Sequence, residues 1–585
     1  VTREAAGVSS KKRSDSSTTR SPGDFRDLDF EPANPWWPAT HRVSNQPPPL
    51  RDYNSFLSDS ALQDFLEPFG AGSARSDLER FGAVTGAAAT IDLGFQANAF
   101  PPELHTHDRF GVRIDEVRYH PAYHQLMRLA TREGLHASHW RSPGPGAQVA
   151  RAARYYLLAQ VEAGHGCPIT MTSAVVPSLR HQPDLFDAWA PRIFELDYDP
   201  SNRPDSEKAA VTIGMAMTEK QGGSDVRQNS TRAHPVSVSG AGEAYELVGH
   251  KYFVSAPMSD AFMMLGQAPG GLTCFLVPRW RPAGSLNALQ LQKLKNKMGN
   301  VSNASAETEL RGALGWRVGE EGRGVAVILE MVAMTRFDCM IGSSAGMRQA
   351  VAQAAHHCQH RWAFGKPLSE QPLMRNVLAD LAVESEAALA LTLRIAQALD
   401  RAGESESEAL LVRIGTALGK YWICKRAPAH AVEAMECIGG MGVMEDTILP
   451  RLYREAPVNA IWEGSGNVQC LDLLRILRKT PRAPEALVSE LEQARGSNSA
   501  LDRAIDAVGT QLRGPEPPEY SLRRAMQLLA TAFQAATLVR FGDSRVAEAF
   551  CASRLAQPEG GRLYGTLPSG LDQYDLVERA TPGIS

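Results

Sequence analysis

The eight cysteines of this 585-residue chain form no CxxC pair and no zinc-finger spacing, so the signatures of a disulfide-stapled or zinc-built scaffold are missing. No run of about 18 apolar residues occurs, which removes the usual hydropathy signal of a membrane-spanning helix. An excess of one charge is missing too. Sixty-one Lys+Arg stand against 65 Asp+Glu, a formal −4, and no chain-wide basic field points to nucleic acid or a membrane surface. The chain has no HExxH and no GxGxxG nicotinamide fingerprint, and no repeat of roughly 20–50 residues that would make a solenoid. Free thiols in a reducing compartment, and so a cytoplasmic location, are the expectation.

What is present is globular in character: 43% hydrophobic and 22% charged residues, in a chain long enough for two to four structural units at roughly 100–200 residues each. Residues 1–49 are rich in Ser, Arg and Pro (KKRSDSSTTRSPGD, QPPPL), cannot bury enough apolar surface to offset their ordering entropy, and are expected as a disordered extension. A transit peptide competes, but Glu4, Asp15, Asp24 and Asp27 oppose it. Val1 in place of Met reads as a processed terminus, a truncated chain or a GTG start, the last implying a bacterial gene. Residues 50–210 show helical periodicity, as in Val149-Ala150-x-Ala152-Ala153-x-Tyr155-Tyr156. Short runs of β-formers (VTIGMAM, YELVG, KYFVSA, AFMMLGQ, LTCFLVP) then predict a small antiparallel β-domain over 211–318. Amphipathic segments at 325–361, 372–402, 407–442 and 464–478 predict a helical bundle over 319–479, and 480–585 a further helical domain.

Five motifs carry chemical options. Met217–Val226 (MTEKQGGSDV) follows a predicted strand; Gly222 and Gly223 permit close backbone approach to a ligand and Thr218 and Ser224 supply hydroxyls, although a simple inter-strand loop has the same composition. Lys251–Ala256 puts Phe253 and Ser255 on one face, suited to a flat heterocycle or to ordinary sheet core. Arg361–Leu368 followed by Gln371 offers a guanidinium, the ring of Phe364 and an amide, or a solvated helix end. Glu436 with Gly439 and Gly440 ends a helix, as a C-cap does, and also allows close cofactor contact. Last, Glu463 lies between Trp462 and the turn Gly464-Ser465-Gly466-Asn467, as a general base or as a surface acid.

In this order the motifs resemble the acyl-CoA dehydrogenase flavoproteins over about 210–478. The longer strings MTEKQGGSDV, LVGHKYFVSAPMSDAF, WICKR and LPRLYREAPVNAIWEGSGN are similar to the AidB branch, the flavoproteins of the bacterial adaptive response to DNA alkylation, from about Thr40 to the C-terminus. The resemblance implies a mainly α fold with a central antiparallel β-domain and an extra C-terminal helical domain. It implies bound FAD, an acyl-CoA substrate and a homotetramer built from two dimers. Met217, Thr218, Ser224, Phe253 and Ser255 would surround the isoalloxazine ring and phosphates. Arg361, Phe364 and Gln371 would reach a neighbouring subunit's FAD, Glu436, Gly439 and Gly440 would close the dinucleotide site, and Ser465 and Asn467 would touch the cofactor. Glu463 would remove the acyl α-proton while the β-hydrogen leaves as hydride to flavin N5, with Arg336 near the CoA end of the site. Trp462 stands where the family usually has Tyr, and its larger indole implies a short or branched acyl group such as isovaleryl.

A competing implication is double-stranded DNA, yet residues 482–579 hold 11 Arg and no Lys against 13 Asp+Glu, leaving only the local cluster Arg475, Arg478, Lys479, Arg482 with Arg523 and Arg524. Nitroalkane oxidation on the same scaffold is disfavoured, because the branch that performs it uses Asp at the base. His356 and His360 lie one helical turn apart without a carboxylate partner in sequence, and no metal site is expected.

Overall fold

The computed structural model describes residues 43–236, 242–557 and 563–583; residues 1–42 of the expected extension lie outside them. Residues Pro47–Ser585 form one compact unit. Its first part is helical: α1 (Ser60–Leu66), α2 (Arg75–Gly86), α3 (Ala88–Ala99), α4 (Pro121–Arg132), α5 (Ser138–Arg141), α6 (Ala147–Ala159), α7 (Gly166–Leu179) and α8 (Pro183–Ile193). Local chemistry sets the starts. The Asp59 carboxylate accepts the Leu62 N–H to cap α1, and Pro121 occupies the first turn of α4, where no N–H is needed. One expectation fails here, because this region is not all helix: β1 (Glu103–His107) and β2 (Arg113–Arg118) form a hairpin. Its turn is closed by Asp108, whose Oδ1 accepts from the Phe110 and Val112 N–H groups.

The middle of the chain is a sheet of β3 (Ile213–Ala216), β4 (Arg232–Pro235), β5 (Ala244–Ser255), β6 (Ala261–Ala268), β7 (Gly271–Pro278), β8 (Leu289–Leu294) and β9 (Ser305–Val318). The pairings β6–β4, β4–β5, β5–β9, β9–β7 and β7–β6 run in a closed circuit, with β8 on β9 and β3 on β6. The sheet is mixed, not antiparallel throughout, because β3 and β4 both run parallel to β6. The long connection through 217–260 supplies the crossover that a parallel pair requires.

Beyond the turn Gly319–Arg323 come α9 (Gly324–His360), the two-residue strands β10 (Trp362–Ala363) and β11 (Lys366–Pro367), then α10 (Pro372–Arg401), α11 (Glu406–Ile438), α12 (Leu449–Ile461) and α13 (Gly466–Lys479). α12 was not expected from the pattern. Pro450 starts it, but Pro457 in its interior hides it from a propensity reading. The chain finishes with α14 (Arg482–Glu492), α15 (Ser499–Arg513), α16 (Leu522–Phe541), α17 (Ser544–Phe550) and α18 (Gln573–Ala580). These helices do not form a separate core: one apolar cluster runs from Phe56 and Leu126 through Met340, Leu391 and Leu418 to Phe533 and Leu576. Buried ion pairs add register, with Arg426 and Arg554 both on Glu384 at 3.0 and 2.9 Å. Burial acts upward on Glu384, but the two guanidiniums hold it down at about 2. A second cluster joins α7, the sheet and α9 through Met171, Val175, Ile213, Met263 and Ile328, and Met217 and Trp462 pack on its edge. That cluster forms the floor of the site.

Candidate functional site

At the junction of α6, α7, the sheet, α9 and the α12–α13 turn lies a cavity of about 1250 Å³. Among the residues singled out from sequence, Met217, Thr218, Ser224, Phe253, Ser255, Arg336, Trp462, Glu463 and Ser465 line it. The sheet supplies one wall. The Tyr252 N–H donates to the Thr218 carbonyl at 2.8 Å, which ties the glycine-rich loop to β5. The hydroxyls of Thr218, Ser224 and Ser465 have no hydrogen-bond partner among the described residues, and the Phe253 ring is 42% exposed. Unsatisfied hydroxyls beside an open aromatic face, in a cleft of this size, fit a large heterocyclic cofactor with polar edges.

The opposite wall carries the acid. Glu463 joins α12 to α13 with φ +58°, a left-handed conformation that is strained for a side chain with Cβ. The strain is held by donors on its carbonyl side: Arg336 Nε donates to the Glu463 carbonyl at 2.8 Å, Lys420 Nζ to the Gly464 carbonyl at 2.6 Å, and Gln469 Nε2 to both. Arg336 is fixed in turn by Asp472 at 2.9 Å, which also receives Arg413 at 2.7 Å. Arg336 therefore braces the turn that holds the acid while lining the cavity. At the side chain, Thr335 Oγ1 donates to Glu463 Oε2 at 2.8 Å, and Oε1 has no protein partner among the described residues. Burial raises the Glu463 pKa above the ordinary carboxylate value, while the Thr335 hydroxyl, Arg336 and Lys420 pull against it. Such a carboxylate is poised to take a proton. Trp462 beside it is fixed by donation from Nε1 to Asn459 Oδ1 at 3.0 Å.

Arg475 and Lys479 of the basic cluster also line the cavity, whereas the residues of the Arg361 and Glu436 motifs, with Asn467, do not. Phe364 is 97% exposed at φ +53°, at the tip of the β10–β11 hairpin, and Gln371 Nε2 donates back to the Ala363 carbonyl at 2.9 Å. Arg361 caps the end of α9. Glu436 is exposed, and a Cβ at Gly439 or Gly440 would meet nothing within 4 Å. Asn467 is engaged by Arg523, which donates to its Oδ1 at 2.8 Å. His356 and His360 stack on one another, with His356 Nε2 at 2.8 Å from the Pro48 carbonyl. Sequence reasoning missed Thr335, Lys420, Lys297 and Ser305. These sit in ordinary-looking helix or loop strings, where only the folded contacts mark them.

Among the described residues no helix is long and apolar enough to cross a membrane. Family models match in three places: the adaptive response protein AidB N-terminal domain at residues 45–200, the acyl-CoA dehydrogenase middle domain at 214–313 and the acyl-CoA dehydrogenase C-terminal domain at 322–477. The chain is 44% identical to the AidB protein of Escherichia coli (strain K12) over 547 residues, 93% of this chain and 99% of that protein. It is 31% identical to acyl-CoA dehydrogenase family member 11 of Caenorhabditis elegans over 84% of this chain and 79% of that one. The crystal structure of C. elegans ACDH-11 in complex with C11-CoA superposes with a TM-score of 0.80 at 27% identity, covering 90% of this chain and 95% of that chain. An acyl-CoA dehydrogenase complexed with FAD from Bacillus anthracis shares the fold, with a TM-score of 0.65 at 18% identity over 86% and 90% of the two chains. With a relative of this similarity matched over nearly its whole length, and a cleft whose unsatisfied hydroxyls and open ring fit a flavin, the chain belongs to the FAD-dependent acyl-CoA dehydrogenase family, in its AidB-like branch.

Proposed function

We propose that this enzyme introduces a double bond between Cα and Cβ of a short or branched acyl-CoA, with Glu463 as the base. The observation that carries the reading is the Glu463 carboxylate itself: buried, raised in pKa, anchored at Oε2 by Thr335 and open at Oε1 toward the cavity. In the reaction the α-C–H bond breaks with its proton passing to Glu463 Oε1, and the double bond forms as the β-C–H electron pair leaves. FAD, when bound, supplies the acceptor for that hydride. Thr218, Ser224, Ser255 and Ser465 would hold the cofactor and Phe253 would pack on it, while Arg336 and Lys420 keep the turn rigid enough for the base to stay in reach.

At the mouth of the cavity stand Arg227, Arg323, Arg475 and Lys479, cations suited to the phosphates of CoA. The C. elegans relative solved with C11-CoA supports an acyl thioester as the substrate class. The fixed Trp462 indole supports a short or branched chain such as isovaleryl. The exposed Trp362, Phe364 and Leu373 (54, 97 and 86% exposed) support self-association, in which Arg361, Phe364, Gln371, Glu436, Gly439 and Gly440 complete a second copy's FAD site, as expected for a dimer of dimers. Double-stranded DNA has less support. Three of the arginines in the basic cluster are already paired, Arg475 with Asp472 at 3.3 Å, Arg478 with Glu516 at 2.6 Å and Arg482 with Glu406.

Anaerobic mixing of the holoenzyme with isovaleryl-CoA tests the reading: flavin absorption bleaches, and a panel of longer acyl-CoAs bleaches it more slowly. Holoenzyme that no acyl-CoA bleaches overturns it. A DNA-protective role would show instead as duplex binding that weakens steeply with salt.

A further inference from the structure

Among the residues that line the cavity is a basic group outside every motif described above. Lys297 lines the cavity, half-buried, in the loop between β8 and β9. Its Nζ donates to the Asn303 carbonyl at 2.6 Å and to Ser305 Oγ at 3.1 Å. Ser305 Oγ is 2.9 Å from Ser255 Oγ, and both serines also line the cavity. A continuous hydrogen-bonded row thus runs from an ammonium through two hydroxyls. The third N–H of the ammonium is not used by any described protein atom.

The loop holding Lys297 is not free to drift. A Cβ at Gly299 would fall 2.4 Å from the Arg454 carbonyl, so the backbone lies directly against α12. Its titratable neighbours are Cys167 and Glu162. Burial pushes the Cys167 thiol up to about 11, so it stays neutral at pH 7. Glu162 is engaged by His165 at 2.9 Å, by the Gly164 and His165 N–H groups, by Ser302 at 2.7 Å and by Asn98 at 3.1 Å. Burial lowers Lys297 to about 8, against which Cys167 and Glu162 act, and the ammonium is still largely charged at neutral pH. A cation only partly balanced by the Glu162 carboxylate therefore lines the cavity.

We infer that Lys297 is a positioning residue for the cofactor: acting through Ser305 and Ser255, its fixed positive charge polarises the bound flavin and makes it a stronger electron acceptor. A cation next to a redox group in a poorly solvated cleft stabilises the more electron-rich form, and the hydroxyl row carries the polarisation to the cavity surface. This rests on FAD occupying the cavity as proposed above.

The test is the two-electron midpoint potential of bound FAD, measured by anaerobic dye equilibration on holoenzyme of wild type, Lys297→Met, Lys297→Arg and Ser305→Ala, with FAD content determined first. Lys297→Met is expected to make reduction less favourable by at least tenfold in equilibrium constant, about 30 mV for a two-electron couple. Lys297→Arg should stay within about threefold of wild type and Ser305→Ala should fall between the two. Wild type that retains no FAD overturns the reading of the cavity itself. Wild type that retains FAD, with an unchanged potential in Lys297→Met, overturns the role of Lys297 alone. If Lys297→Met does not fold, an unshifted Ser305→Ala overturns it equally.

Discussion

The wall around Glu463 and the arm Arg361–Gln371 were read from the same kind of evidence, short motifs with polar and aromatic residues, and they differ in the folded chain. Around Glu463 the turn is held by internal partners: Thr335 on one carboxylate oxygen, Arg336, Lys420 and Gln469 on the backbone carbonyls, Asp472 behind Arg336. On the arm, Phe364 points into open space at the tip of a two-residue hairpin and Leu373 is 86% exposed. A region complete within one chain does its chemistry by preorganisation. A region that leaves large apolar side chains uncovered is built to be covered. The contrast separates the proposed catalytic half of the site from the half proposed to be completed by a second copy.

The sharpest break in that comparison is Glu463→Gln, which keeps the shape of the side chain but cannot accept a proton. Reduction of bound FAD by acyl-CoA should slow by about 10²–10⁴ with FAD retained, read by anaerobic stopped-flow absorbance. Equal bleaching of wild type and variant would remove the base assignment. Next in size, Asp472→Ala leaves the Arg336 and Arg413 guanidiniums facing a buried gap and should cost about 3–5 kcal/mol in a urea melt. Burial acts upward on Asp472, but Arg413, Arg336 and Arg475 hold its pKa below the ordinary value. Its contribution to stability is thus complete above the unfolded carboxylate pKa of about 3.9 and is lost as the pH falls through the lowered native value. Wild type should therefore lose more stability than Asp472→Ala on acidification.

A smaller effect is expected from Thr335→Val. The hydroxyl favours the charged form of Glu463, so its removal should move the ascending limb of the pH–rate profile to higher pH by about one unit, with the plateau little changed. A limb that moves to lower pH would contradict the hydrogen-bond direction. Smallest for the isolated fold is Phe364→Asp, whose side chain touches little within the chain. Its effect on unfolding should stay within about 0.5 kcal/mol, while sedimentation should show weaker self-association and FAD occupancy should fall with it. An unchanged assembly would mean that the arm is covered by something other than a second copy.

How much could be read in advance differs along the chain for physical reasons. A long helix such as α10 announces itself because 3.6-residue periodicity persists over many turns. The hairpin Glu103–Arg118 and the helix Leu449–Ile461 do not: the first is two short strands inside helical surroundings, and the second contains Pro457. Strand direction was equally illegible. The segments VTIGMAM and AFMMLGQ read as β-formers in either orientation, and only the path of the connection makes β3 and β6 parallel.

By itself the sequence determined the order of helices, sheet and helices and the family, and singled out Glu463 as the candidate base, because those depend on periodicity and on chemical strings that are contiguous along the chain. Only the tertiary structure decided which of the named residues share a cavity, that Arg336 braces a backbone turn through Asp472, and that Lys297, Ser305 and Ser255 form one row. The reason is distance along the chain. Thr335 and Glu463, or Ser255 and Ser305, are brought within 3 Å by packing of elements far apart in sequence, and no local pattern of residue types encodes a contact of that kind.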